Sequence, residues 1–116
     1  MQHTLWRGKS NAVAYELVSD GSNLDAGQYA AISRVVMRLR PVTGGVSFIT
    51  LDSDTSGALI TWGGAVGDRV VVDGSLLPAA NVPAGWYHVR VLAYSVDHPD
   101  GMVFVDYPNY WLEVRA

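Results

Sequence analysis

Residues 33–40 read Ser-Arg-Val-Val-Met-Arg-Leu-Arg, and Pro41 follows. Val35, Met37 and Leu39 alternate with Arg34, Arg38 and Arg40. That period of two puts one face of a β-strand in a core and the other in water. Wound as a helix, the same residues would scatter the three arginines around the axis and leave no apolar stripe. Pro41 has no N–H to give to a ladder and ends the run.

The pattern repeats on either side. Upstream, residues 11–18 alternate with Val13, Tyr15 and Leu17 on one face and Glu16 on the other, and Asp20, Gly21 and Ser22 form a turn. Downstream, strands are expected over residues 46–51, 58–62 and 69–73, set off by Gly44-Gly45, the polar loop 52–57, Gly63-Gly64 and Asp73-Gly74. A long strand over 86–95 follows Pro83-Ala84-Gly85, with Tyr87, Val89, Val91 and Ala93 pointing inward. His98-Pro99-Asp100-Gly101 suits a type I turn, and strands over 102–106 and 110–115 complete the chain. Within 24–31, residues 28–31 read as either a helical turn or a loop. Seven or eight strands with turns every ~8–12 residues predict an all-β domain, an immunoglobulin-like antiparallel β-sandwich in which two half-buried sheets cover each other. Residues 1–9 are expected as a short N-terminal arm and 10–116 as the single sandwich domain.

Composition narrows the chemistry. The 116 residues are 49% hydrophobic and 16% charged, with a formal net charge of −3 and no cysteine. One domain of ~100–150 residues fits that length. The absence of cysteine excludes a disulfide scaffold, a thiolate metal site and a thiol nucleophile. One lysine and seven arginines against eleven carboxylates give no basic stripe in the sequence, so no nucleic-acid partner is expected. No stretch approaches the ~20 apolar residues of a membrane span, and residues 1–10 lack the apolar run of a secretory signal. Neither a membrane partner nor export is expected.

No catalytic constellation stands out. Asp52, Asp54, Ser56 and Gly57 match the opening of an EF-hand loop, but the bidentate glutamate position falls on Gly63; the stretch reads as a polar loop. His3, His88 and His98 show no metal-ligand spacing, so no metal or other cofactor is expected. Ser33, Ser47, Ser53 and Ser56 stand in ordinary contexts without a G-x-S-x-G elbow. The pairs Asp52/Asp54 and Asp97/Asp100 lie in turns, where carboxylates stay solvated. The chain reads as a non-enzyme.

Aromatics are the remaining signal. Trp86, Leu92 and Tyr94 share parity with His88 and Arg90, opposite the expected core, and Leu5 and Trp6 sit in the N-terminal segment. Large apolar groups on an outer face mark contact surfaces. The alternative is that the N-terminal segment or Trp111 covers this strand within the same molecule. Leu5, Trp6, Trp86, Leu92 and Tyr94 are the candidate assembly contact.

The stretch from Val82 through Pro83-Ala84-Gly85-Trp86-Tyr87 to Tyr94, then His98-Pro99-Asp100-Gly101 and the closing Tyr110-Trp111-Leu112-Glu113-Val114-Arg115, resembles small tailed-bacteriophage virion proteins with an Ig-like sandwich. It is similar in particular to the N-terminal attachment domain of baseplate and receptor-binding-protein complexes, over roughly residues 32–115. The resemblance implies a structural protein of the virion, an adaptor or decoration protein docked on tail, baseplate or capsid. It would be made in the host cytoplasm, have other virion proteins as partners, and form a homo-oligomer or symmetric array. Pro-Ala-Gly-x-Tyr also has a physical reading: Gly85 turns the chain, and Tyr87 plugs the end of the sandwich with its hydroxyl bonded to backbone. The rival function is a carbohydrate-binding module whose exposed tryptophans stack on sugar rings.

Overall fold

The alternating run at residues 33–40 becomes the strand Arg34–Pro41, here β5, in a computed structural model that describes residues 2–19, 22–23, 26–42, 49–55, 59–62, 69–105 and 110–116. Val35, Met37 and Leu39 are buried in the core while Arg38 and Arg40 are exposed. In chain order the other elements are β1 (Gln2–Trp6), β2 (Ala12–Glu16), β3 (Val18–Ser19), β4 (Ser22–Asn23), α1 (Ala26–Ala30), β6 (Ile49–Asp52), β7 (Ile60–Trp62), β8 (Arg69–Asp73), β9 (Gly85–Tyr94), β10 (Met102–Val105) and β11 (Trp111–Arg115). The first residues of the strands expected over 46–51 and 58–62, and the end of that over 102–106, lie outside the described residues. The ambiguous stretch near residue 28 is helical, as α1.

Two sheets face each other. The larger runs β1-β11-β9-β5-β6 and the smaller β2-β8-β7, with β3 and β4 forming a minor ribbon. This is the variable-type immunoglobulin order, in which β2, β8 and β7 stand for strands B, E and D and β11, β9, β5 and β6 for G, F, C and C′. Between the sheets lie the inward sets of β2 (Val13, Tyr15), β5, β8 (Val70, Val72) and β9 (Tyr87, Val89, Val91, Ala93). Val89 stands two residues after Tyr87, where antibody domains carry their second cysteine; here a buried valine fills the place.

Both β10 and β11 pair with the same edge of β9 in the same direction. Val105 and Trp111 are six positions apart, whereas their partners Val91 and His88 are three apart. The two lie in line along that edge and count as one return strand. Counted so, eight strands of three residues or more are present among the described residues.

Residues 1–9 are expected as an arm, but the described residues 2–9 are part of the sandwich. Gln2–Trp6 adds to the larger sheet as a parallel edge strand beside β11, in register from Gln2↔Trp111 to Trp6↔Arg115. Leu5 is 0% exposed and belongs to the core. The turn after β1 is stitched to the link between β8 and β9. The Gly8 N–H donates to the Gly74 carbonyl at 3.1 Å, and the Gly74 N–H donates to the Asn11 carbonyl at 2.8 Å. Asn11 closes the turn by accepting from the Trp6 N–H and donating to the Trp6 carbonyl, each at 2.8 Å. Gly74 must be glycine: a Cβ there would lie 2.5 Å from the Asn11 side-chain nitrogen and 3.0 Å from the Trp6 carbonyl oxygen.

At the start of β9 the Tyr87 hydroxyl donates to the Pro83 carbonyl at 2.7 Å. That is the corner read from Pro83, Gly85 and Tyr87. Burial raises the Tyr87 hydroxyl above its ordinary pKa, against the opposing effect of Arg7, so it stays a donor.

Candidate functional site

The outward face of the larger sheet is built by cross-strand register. Because neighbours in a ladder share a face, one row holds Gln2, Trp111, His88 and Arg40, and the next holds Thr4, Glu113 and Trp86. On the other side of His88 come Arg90, Arg38 and Thr50, then Val103, Leu92, Val36 and Asp52, and last Tyr94 and Arg34. Trp6 and Arg115 close the opposite end.

Five of the chain's seven arginines (Arg34, Arg38, Arg40, Arg90 and Arg115) therefore stand on one face of a protein with net charge −3. The sequence expectation of no basic stripe is corrected here. The arginines are spread over 82 positions in the chain, from 34 to 115, and only the sheet gathers them. Arg34 and Arg115 are tied to acids. The Arg34 guanidinium grips Asp52, with its Nε 3.0 Å from Oδ1 and 3.1 Å from Oδ2, and lies 3.5 Å from Asp54. Those hydrogen bonds hold the Asp52 carboxyl below its ordinary pKa, helped by the Asp54 N–H. Arg115 Nε lies 2.9 Å from Glu113. In the middle of the face Arg38 and Arg90 stand directly opposite each other, and Thr50 completes that row.

Aromatics border the charge. Trp86 is 42% exposed and Trp6 40%. Arg115 lies 5.3 Å and Lys9 Nζ 5.5 Å from the Trp6 ring centroid. Trp111 stacks on His88 with centroids 4.4 Å apart. Arg34 lies 5.1 Å from the centroid of Tyr94.

The candidate contact residues divide. Trp86, Leu92 and Tyr94 share the outer face, and Trp6 joins it from β1. Leu92 is only 9% exposed and Leu5 points into the core, so neither offers side-chain surface to a partner. Leu92 and Val36 are buried on the outward side, outside the main core cluster. Parity places Arg34, Arg38 and Arg40 on the wet side of β5, and combining it with Arg90 on β9 is the sequence signal for this patch.

Elsewhere, His98 lies in the turn after β9, while Ser47, Ser56, Gly57 and Gly63 fall outside the described residues. No group of three or more His, Cys, Asp or Glu converges as a metal site among the described residues. No helix there is long and apolar enough to cross a membrane. The sequence matches no model of a known protein family, and a search of curated proteins finds no similar one.

Proposed function

We propose that this protein is a non-enzymatic structural component of a tailed-bacteriophage virion, docking onto tail, baseplate or capsid through the outer face of its larger sheet. The observation that carries the docking reading is the gathering of Arg38, Arg40 and Arg90 on the same sheet face as exposed Trp86 and Trp6. Tryptophan, tyrosine and arginine are the residues on which protein interfaces concentrate their binding energy. A face that gathers arginines selects an acidic partner surface. The virion assignment rests on the resemblance carried by Pro83, Ala84, Gly85 and Tyr87 and the strands around them. Repetition of the contact over a symmetric particle would multiply a modest single-site affinity.

The test uses particles purified from the phage that encodes the chain. They are expected to contain it, and to lose it when Arg38→Glu and Arg40→Glu are combined while circular dichroism stays unchanged. Particles without the protein would refute the virion reading. Retention of the double variant would refute the role of this face. The carbohydrate-binding reading is supported by the same two exposed tryptophans, Trp6 and Trp86. It predicts saturable quenching of tryptophan fluorescence by neutral oligosaccharides, insensitive to salt. Docking on an acidic surface weakens as salt screens exposed charge.

A further inference from the structure

A cavity of about 250 Å³ opens at the edge of the sandwich between β1, β2 and β10, away from the outward face of the larger sheet. Its walls include His3, Tyr15, Phe104 and Tyr110, with Ala14 and Glu16 on the exposed side. The aromatic walls brace one another. His3 meets Tyr15 edge-on with centroids 5.0 Å apart, and Tyr15 meets Tyr110 at 6.4 Å.

Two buried side-chain atoms lack a hydrogen-bond partner among the described residues, His3 Nε2 and Tyr15 Oη. Both belong to residues that line this one cavity. Tyr15 is only 4% exposed, so its hydroxyl has no bulk water to turn to. Native proteins satisfy nearly all such groups, and an orphan asks for a missing partner.

The space is far larger than one water requires, about 10–15 Å³ by the same kind of measure, and larger than the roughly 150 Å³ apolar cavity that accepts benzene. A single-ring molecule fits. Its polar end must match two neutral groups, since burial lowers the His3 pKa and raises that of Tyr15. A hydroxyl can donate to one and accept from the other. An anion would approach Glu16 at the mouth, and the burial that keeps His3 from taking a proton also disfavours an ammonium.

We infer that this cavity binds a small neutral aromatic molecule bearing a hydroxyl, a phenol-like ring that hydrogen-bonds Tyr15 Oη and His3 Nε2 and packs against Tyr110 and Phe104. The site is independent of the docking face.

The experiment titrates the isotope-labelled full chain with phenol, benzene, benzoate and benzylammonium, followed by NMR. Phenol is expected to shift the ring signals of His3, Tyr15, Phe104 and Tyr110 saturably and to bind more tightly than the other three. Tyr15→Phe should weaken phenol about tenfold, the worth of one neutral hydrogen bond. Its melting temperature without phenol should be equal or higher, because the variant removes an orphaned hydroxyl. Ala14→Trp, at an exposed position on the rim, should block entry with the fold intact. The inference is overturned if phenol gives no saturable shifts, if benzene or either charged ring binds as well, or if Tyr15→Phe lowers the melting temperature, which would show that the hydroxyl already has a partner.

Discussion

Gly101 and Tyr94 face each other so closely that only a hydrogen fits between them. A methyl group on the Gly101 Cα would lie 3.0 Å from Cε1 and 3.1 Å from Cζ of the Tyr94 ring. The Tyr94 ring in turn carries the Arg34 guanidinium, and Arg34 carries Asp52. One end of the outer face is thus fixed by a relay from the turn after β9 across to β6.

Gly101→Ala strains this relay twice, by its contact with Tyr94 and by its φ of +88°. A loss of about 1–3 kcal/mol is expected in urea unfolding, with a shift in the Tyr94 ring signals. An unchanged midpoint would mean that the turn opens freely.

Leu5→Ala should cost about 2–5 kcal/mol, as much as Leu39→Ala, because both side chains are fully buried. The comparison tests whether β1 is integral to the fold. A change in Leu5→Ala below about 0.5 kcal/mol, typical of an exposed site, would detach the strand from the core.

Tyr87→Phe removes the bond to the Pro83 carbonyl. The expected cost is about 0.5–1.5 kcal/mol, read from chemical denaturation with an unchanged slope. Protease cleavage near residue 83 should quicken in parallel.

Acid should weaken the Arg34–Asp52 contact in a defined direction. Hydrogen bonding from Arg34 holds the folded Asp52 below its ordinary value of 3.8, so the unfolded chain takes up this proton first. The contribution is complete above that ordinary value and disappears as pH falls through the folded one. Asp52→Asn should flatten the fall in stability over that window, and an unaltered acid limb would show that other carboxyls govern it.

The sandwich was legible because burial on one face writes itself as alternation. Residues 33–40 and 86–95 show it and form β5 and most of β9, while residues 69–73 form β8 from three successive valines. Strand β1 was not, since Gln2-His3-Thr4-Leu5-Trp6 puts one aliphatic side chain into the core and owes its place to pairing with β11 at the far end of the chain. The corner could be read from Pro83, Gly85 and Tyr87 because its parts are neighbours in sequence. The basic face could not be read from net charge, which averages over direction, and the cavity required β1 to be in place beside β2.

The parallel pairing of β1 with β11 also bears on how the protein meets force. Chain enters the ladder at Gln2, beside Trp111, and leaves it at Arg115, beside Trp6. Tension between those two points pulls the strands lengthwise past each other, so the bonds of the ladder share the load instead of opening one by one as in an unzipping hairpin. Leu5 and Val114, both buried and in register, would have to be dragged through the core at the same moment. A chain loaded through these two strands would behave under tension as a mechanical clamp.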